Sequence, residues 1–275
     1  MSDPAVLIEA VTFDYPRGPR ALDGIDLRVE TGERLAIIGQ NGSGKSTLVR
    51  HLNGLLRPTL GSVAINGRPI GRRHVAELAR EVGLAFQNPD RQIFAGTVRA
   101  EVAFGPRNLG RRGDELDAVV KRALAIVGLT GDEGTNPYDL GFSRRKLLAL
   151  ASILAMETPI VILDEPTTGQ DARGMNRVQS IVAELSAAGR TVIAVSHDMR
   201  FVAESFERVV VMREGRIVLD GTPSEAFAEA AWPTLASTYL EPPLAARVGA
   251  RLGLGATPTE AALVAAVAAR TGTGR

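Results

Sequence analysis

The most constraining feature of this 275-residue chain is a glycine-rich segment, GQNGSGKST, at residues 39–47. An apolar stretch, RLAIIG, leads directly into it, and a helical pattern, STLVRHLNGLL, follows. Glycines let the backbone adopt positive φ angles, so that several N–H groups can approach one anion. A strand, an anion-binding loop and a helix in this order predict one unit of an α/β sheet.

The residues that close this segment have defined roles in binding phosphate. Two glycines five residues apart, followed by Lys45 and Ser46, fit the phosphate-loop pattern. Lys45 would supply a mobile positive charge to the β- and γ-phosphates, and the Ser46 hydroxyl could ligate Mg²⁺. The alternative is a glycine-rich turn that ends in Lys-Ser by chance, and the flanking strand and helix argue against it.

A second apolar segment, IVILDEPTTGQD at residues 160–171, ends its strand in two carboxylates. Ligands of open α/β sheets bind at the carboxyl ends of the strands, where Asp164 and Glu165 would lie. Asp164 would orient the Mg²⁺ shell, and Glu165 would polarise an attacking water molecule. Acidic pairs at strand ends are common, so this interpretation depends on the phosphate loop about 120 residues earlier.

Strand and helix patterns alternate along most of the chain. The first forty residues alternate apolar and polar residues, residues 89–154 are helical in pattern, and buried strands separated by helices follow. These patterns predict an α/β fold: a P-loop NTPase core with a mostly parallel sheet and an N-terminal antiparallel sheet. We expect the core domain to span residues 1–222, with a helical insert at about 89–154, and a C-terminal helical extension at 223–275.

Composition excludes several classes of protein. A formal net charge of +1 argues against a broad nucleic-acid surface, and the absence of cysteine excludes disulfides and thiolate metal sites. We expect neither a secretory leader nor a membrane span, because no suitable apolar run is present. Lysine is scarce: the chain contains only Lys45, Lys121 and Lys146.

Over about residues 5–222, these motifs resemble those of the ABC ATPases. The resemblance implies that Tyr15 in FDYP stacks on adenine, and that Gln87 in LAFQNP reaches Mg²⁺ and the attacking water. It also implies that His197 in AVSHD contacts the γ-phosphate, and that Asp171 in the D-loop contacts a second protomer. The implied catalytic residues are Glu165, His197 and Gln87; the ATP-binding residues are Tyr15, Gly39, Gln40, Asn41, Gly42, Ser43, Gly44, Lys45, Ser46 and Thr47; the metal ligands are Ser46, Gln87 and Asp164.

A longer segment narrows the resemblance. FQNPDRQIFAGTVRAEVAFGPRNLG, at residues 86–110, is similar to ATPases of energy-coupling factor and cobalt-type importers, although Arg91 and Gly96 depart from their usual text. The resemblance implies an enzyme that uses ATP and Mg²⁺ to drive uptake of a vitamin or metal ion. It further implies a peripheral position on the cytoplasmic face of the membrane. The implied partners are a second ATPase subunit, a transmembrane coupling protein and a substrate-binding membrane protein, without nucleic acid.

The family's signature, LSGGQ, should begin 24 residues before Asp164, and LGFSR stands there instead. This segment consists of Leu140, Gly141, Phe142, Ser143 and Arg144. Phe142 adds bulk, while Ser143 could cap the following helix and still offer a hydroxyl, and the arginines could approach phosphate. Two interpretations stay open: a variant signature that binds γ-phosphate, or a degenerate one. The second favours a heterodimer with unequal ATP sites.

Two other functions deserve comparison with transport. A nucleotide-driven clamp or regulator usually carries two cassettes or a long coiled-coil insert, and neither pattern occurs in this sequence. A subunit without ATPase activity is disfavoured by the presence of Lys45, Glu165 and His197. Transport driven by ATP is therefore the favoured interpretation.

Overall fold

The computed structural model describes residues 3–16 and 18–272. The strands are Val6–Asp14 (β1), Arg20–Val29 (β2), Arg34–Ile38 (β3), Leu60–Ile65 (β4), Arg68–Pro69 (β5), Val82–Ala85 (β6), Ile160–Asp164 (β7), Thr191–Val195 (β8), Arg208–Arg213 (β9) and Arg216–Gly221 (β10). The helices are Lys45–Leu52 (α1), Val75–Leu78 (α2), Val98–Asn108 (α3), Gly113–Val127 (α4), Phe142–Leu154 (α5), Ala172–Ala187 (α6), Met199–Ser205 (α7), Pro223–Ala226 (α8), Trp232–Ala236 (α9), Leu244–Arg251 (α10) and Glu260–Gly272 (α11).

A six-stranded sheet forms the centre of the molecule, in the order β10-β9-β3-β8-β7-β6. Its five strands from β9 to β6 are parallel, and β10 pairs antiparallel with β9 at one edge. Every residue of β7 and β8 is buried, as expected for parallel strands that are covered on both faces. The predicted fold class, with its mostly parallel sheet, is confirmed.

The N-terminal sheet and α1 cover one face of the central sheet. This second sheet is antiparallel, in the order β2-β1-β4-β5. Alternate side chains of its strands, such as Ile8 and Leu22, share a buried cluster with Leu48 of α1 and Ile37 of β3. Packing against both sheets fixes the position of α1, which begins directly after the phosphate loop.

Helices cover the opposite face of the central sheet. Ala36 and Leu163 of the sheet share a second buried cluster with Leu148 of α5 and Ile181 of α6. The three helices α3, α4 and α5 also pack against one another within the predicted helical insert. Because α5 packs against α3 and α4 as well as against the central sheet, it connects the insert to the sheet.

The predicted C-terminal extension is helical, and part of it joins the core. Phe227 and Leu235 are buried in the same cluster as α5 and α6, and the Trp232 indole donates to the Phe227 carbonyl at 3.0 Å. By contrast, Val264 of α11 is 68% exposed. Residues 273–275 of this extension lie outside the described residues. Within the described part of the chain, no helix combines the length and the apolar character needed to cross a bilayer.

Candidate active site

Four loops at one edge of the central sheet bring most of the predicted site residues together. The phosphate loop follows β3, Gln87 follows β6, Glu165 follows β7 and His197 follows β8. Because these strands are parallel, their carboxyl ends meet at the same edge, where ligands of α/β sheets bind. A cleft of about 390 Å³ opens there. The predicted site residues that line it are Tyr15, Asn41, Gly42, Gly44, Lys45, Ser46, Thr47, Gln87 and Glu165.

The phosphate loop depends on glycine where it passes close to other backbone. Gly44 caps α1 with φ +101°, and a Cβ atom there would lie 2.5 Å from the Ala21 carbonyl oxygen. Gly39 has φ +150°, and its Cβ would lie 2.2 Å from the Met212 carbonyl oxygen. The loop therefore fits between β2 and the end of β9 only with hydrogen at these positions.

Lys45 lies folded against its own loop. Its ammonium donates to the carbonyl oxygens of Gly39 at 2.7 Å and Gln40 at 2.8 Å. Burial lowers the pKa of Lys45, and the charges of Glu165 and Asp164 partly oppose this effect. A buried ammonium of this kind can exchange carbonyl oxygens for phosphate oxygens with little loss of hydrogen bonding.

Ser46 and Asp164 form the candidate metal site. The Ser46 hydroxyl donates to Asp164 Oδ1 at 3.3 Å, and the carboxylate is almost fully buried. Burial raises the pKa of Asp164, because a desolvated carboxylate is unstable without a partner charge. Hydroxyl and carboxylate oxygens are ligands that Mg²⁺ accepts, so these residues fit this ion. The described residues contain no cluster of three or more acidic, histidine or cysteine ligands, so phosphate and water would complete the shell.

Gln87 borders the candidate metal site from the next loop. It is exposed, and it lines both the cleft that contains Glu165 and a neighbouring cleft that contains Asp164. Its amide could thus contact either the ion or the water beside it. The three predicted metal ligands come from separate elements: Ser46 from the first turn of α1, Asp164 from the end of β7 and Gln87 from the loop after β6.

Glu165, which lines the cleft, forms a close pair with His197, which does not. Glu165 Oε2 lies 2.6 Å from His197 Nδ1, and the Thr168 hydroxyl donates to the same carboxylate oxygen at 3.4 Å. The Glu165 side chain is 9% exposed, whereas that of His197 is 60% exposed. This arrangement fixes a carboxylate beside the phosphate loop and leaves an imidazole free to meet a ligand.

Tyr15 stands at the far side of the cleft. Its hydroxyl lies 3.1 Å from Thr47 Oγ1, and its ring meets that of Phe13 edge to face at 4.9 Å between centroids. The residue is 37% exposed. An aromatic ring held by its edge and its hydroxyl can present one face to a planar base.

The capping role predicted for Ser143 is wrong. Helix α5 begins at Phe142 with Gly141 at the cap position, and no side chain caps it. Ser143 therefore lies inside the first turn, where its hydroxyl hydrogen-bonds Gln170 Oε1 at 2.6 Å. The Gln170 amide in turn donates to the Ser143 carbonyl at 3.3 Å. Gly141 has extended backbone angles and takes the cap position, so the helix starts two residues too early for a serine cap.

The other residues of the signature segment also have partners within the chain. The buried Leu140 accepts a hydrogen bond from Arg145 through its carbonyl at 2.9 Å, and Arg144 pairs with Asp132. The half-exposed Phe142 ring lies against Gly169, where a Cβ atom would come within 2.6 Å of it.

Asp171 has a structural role of its own at the start of α6. It caps this helix and accepts a hydrogen bond from the Gly174 amide at 2.7 Å. Neither Asp171 nor the segment at residues 140–144 lines the cleft beside the phosphate loop.

Sequence reasoning assigned no role to Lys146. In the structure its ammonium donates to the carbonyl oxygen of Glu165, and to that of Thr168 at 2.8 Å. The signal available in the sequence was the scarcity of lysine, since the phosphate loop retains one of only three.

A phosphate loop after one strand, an acidic pair after another and a histidine after a third define a P-loop ATPase. Comparison with known proteins specifies the family. The sequence profile described as "ABC transporter" matches residues 22–168. The energy-coupling factor transporter ATP-binding protein EcfA of Methanocaldococcus jannaschii is 44% identical over 219 residues, which cover 79% of this chain and 78% of that protein. EcfA of Methanothermobacter thermautotrophicus is 45% identical over 222 residues, 80% of this chain and 71% of that protein.

Solved structures agree with this assignment. The structure of cbiO1 from Clostridium perfringens, described as part of the ABC transporter complex cbiONQ, superposes with a TM-score of 0.76 at 34% identity. That match covers 91% of this chain and 99% of cbiO1. The ATP-binding cassette MJ0796, a dimer bound to ADP and Pi, gives a TM-score of 0.73 at 25% identity, covering 79% and 98% of the two chains. The chain belongs to the ABC transporter ATPases, among the ATP-binding proteins of energy-coupling factor transporters.

Proposed function

We propose that this chain hydrolyses ATP at the cleft beside its phosphate loop, with Glu165 as the catalytic carboxylate, and thereby powers an importer. The observation that carries this proposal is the Glu165–His197 pair, 2.6 Å apart, of which Glu165 lines the same cleft as Lys45 and Ser46. A fixed carboxylate and an exposed imidazole beside an anion-binding loop are the groups that water attack on a phosphoryl group requires.

Each group has a distinct task in this reaction. Lys45 and the amides of residues 39–47 would bind the phosphates and stabilise the charge that develops on them. Glu165 would polarise the attacking water, and His197 would contact the γ-phosphate from the end of the neighbouring strand, β8. Tyr15 would stack on adenine at the far end of the cleft. The ring packing on Phe13 supports that role because it limits the motion of Tyr15.

Mg²⁺ would be held by Ser46, Asp164 and Gln87. When bound, this ion neutralises charge on the β- and γ-phosphate oxygens. The buried Asp164 carboxylate supports the assignment, since a cation beside it would remove the penalty that raises its pKa. The Ser46 hydroxyl already lies within hydrogen-bonding distance of the same carboxylate.

The signature segment supports two unequal ATP sites. A signature must present small residues and a free hydroxyl to the nucleotide of the other subunit, and here Ser143 is bonded to Gln170 while Phe142 adds a ring. Arg144 is engaged by Asp132. We therefore favour the degenerate interpretation, with a heterodimer in which this chain hydrolyses its own ATP against an intact signature of a second ATPase subunit. Asp171 would face that subunit.

The transporter role implies membrane partners. Two similar proteins are named as energy-coupling factor transporter subunits, and cbiO1 is described as part of a transporter complex. These similarities support the proposal that this chain binds a transmembrane coupling protein and a substrate-binding membrane protein. The chain would then lie on the cytoplasmic face of the membrane and serve uptake of a vitamin or a metal ion. Purification from membranes should recover both partners with the chain, and recovery of the ATPase without any membrane protein would contradict this assignment.

The test of the chemistry is Glu165→Gln in the purified transporter complex. The amide keeps the shape of the side chain but removes its charge, so ATP should bind while turnover falls by about 10²–10⁴-fold, the usual contribution of general base catalysis. Glu184→Gln on the exposed face of α6 is the matched control and should hydrolyse ATP at the unaltered rate. Full ATPase activity of the Glu165→Gln complex would refute the proposed role.

A further inference from the structure

Lys146 connects the helix of the signature segment to the loop that follows β7. It lies on the second turn of α5, only 6% exposed. Its ammonium donates to the Glu165 carbonyl oxygen and, at 2.8 Å, to that of Thr168. Both acceptors belong to the turn that places the Glu165 carboxylate beside the phosphate loop. The contact therefore joins α5 directly to the proposed catalytic residue.

Stability does not account for an ammonium group at this position. Burial lowers the pKa of Lys146 to about 8, and the nearby charges of Glu165 and Asp164 oppose that shift. A buried charge loses its hydration, which costs free energy even where carbonyl oxygens accept its hydrogen bonds. The buried α5 side chains that follow it, such as Leu147 and Leu150, are apolar.

Glu165 needs support because its backbone is strained. Its φ is +54°, a left-handed angle that is uncommon for residues other than glycine, and it precedes Pro166, which normally favours an extended conformation. The Glu165 amide donates to the Val195 carbonyl at 2.8 Å, so β8 holds the residue from one side. Lys146 holds the carbonyl on the other side, and together these contacts direct Oε2 to His197.

The first turn of α5 contacts the same loop again. Ser143 and Gln170 exchange two hydrogen bonds, at 2.6 and 3.3 Å, and the Phe142 ring packs against Gly169. Residues 165–170 thus rest on α5 at three successive places. A displacement of α5 would move this loop, and Lys146 is the member of the set that reaches Glu165 itself.

We propose that Lys146 is a positioning residue for ATP hydrolysis, which holds the Glu165 peptide group from α5 so that the carboxylate stays directed into the cleft. This inference rests on the proposed catalytic role of Glu165. It makes the position of the signature helix in this subunit a determinant of hydrolysis at the subunit's own ATP. Lys146 would act without touching nucleotide.

Three variants of the complete transporter complex test the inference. Lys146→Met removes the donor and keeps an unbranched side chain, Lys146→Arg restores donors, and Lys121→Met makes the same change at the exposed lysine of α4. For Lys146→Met we expect kcat to fall by about tenfold or more, as a displaced catalytic group would require. The KM for ATP should stay within about twofold, because the phosphate loop is untouched. The Arg variant should recover part of kcat, and Lys121→Met should match the unaltered complex.

Thermal unfolding separates positioning from packing. The midpoint of the Lys146→Met complex should stay close to that of the unaltered complex, since removal of the buried charge offsets the loss of a donor to the Glu165 and Thr168 carbonyl oxygens. A kcat within twofold of the unaltered value would overturn the inference. So would a Met variant that loses activity together with stability or assembly, or an Arg variant without any recovery. Full turnover by Glu165→Gln would instead refute the proposed function, so the two failures are distinguishable.

Discussion

Gly42 and Gly44 offer a direct measure of how tightly the phosphate loop is enclosed. Both glycines have positive φ angles, +82° and +101°, so alanine is strained at either position. They differ in what a methyl group would meet. No atom lies within 4 Å of a Cβ at Gly42, whereas the Ala21 carbonyl oxygen lies 2.5 Å from a Cβ at Gly44. Gly42→Ala is therefore the matched control for Gly44→Ala.

Both variants lose stability because alanine has an unfavourable φ angle at these positions, and only Gly44→Ala also creates a steric clash. A left-handed alanine destabilises the folded state by about 1–2 kcal/mol. Because alanine also reduces the conformational freedom of the unfolded chain, about 0.4–1 kcal/mol of this loss is offset. Ordinary contact begins at 3.4 Å, so at Gly44 the backbone of β2 or the start of α1 must also move by 0.9 Å. Forced displacement in packed regions costs about 1–3 kcal/mol. We expect Gly44→Ala to be less stable than Gly42→Ala by that amount.

Denaturant unfolding of the nucleotide-free chain gives the relevant free energies. The difference between the two variants should appear as a lower transition midpoint for Gly44→Ala at an unchanged slope. Binding of ATP should weaken more in Gly44→Ala, because movement of the loop displaces the amides that face phosphate. Equal free energies of unfolding, within about 0.5 kcal/mol, would show that β2 does not enclose the loop as described.

Two further predictions concern acid stability and the signature segment. His51 of α1 is fully buried with Nδ1 2.8 Å from the Thr47 carbonyl, and burial lowers its pKa, so the unfolded chain binds the proton more readily. Stability should therefore fall as pH decreases below the ordinary histidine value of about 6.5, and His51→Asn should flatten that slope in unfolding measured from pH 7.5 to 5. For Arg144→Ala we expect unchanged ATPase and transport in the complex, since Asp132 engages this arginine; loss of either activity would favour a functional variant signature.

The sequence predicted those parts of the site that are encoded in contiguous segments. Residues 39–47 contain their own glycines, lysine and serine, and the apolar strands that precede Lys45 and Glu165 determine where these residues lie. Parallel strands share a carboxyl edge, so the phosphate loop and Glu165 were expected at one edge of the sheet, whereas the role of His197 came from the family resemblance. The family and fold class could be predicted for the same reason.

Contacts between distant segments could not be predicted from local patterns. The partner of Ser143 is Gln170, which is 27 residues away, and helix propensity favours a serine cap over such a pair. The contact between Lys146 and the Glu165 carbonyl forms because α5 packs close to the end of β7. Such packing of distant segments leaves no local pattern in the sequence. Strand β6, which carries Gln87 into the site, is only four residues long and has too few positions to show a period.

The wall around the phosphate loop has a consequence for the way this chain is synthesised. The Ser43 carbonyl accepts a hydrogen bond from the Gly215 amide at 3.1 Å, although the two residues are about 170 positions apart. A ribosome delivers the loop well before this turn between β9 and β10, so the nascent chain cannot complete the wall of its nucleotide pocket until Gly215 has been translated. Nucleotide can therefore stabilise the completed pocket only after this turn has joined the loop, and cannot do so at earlier stages of folding.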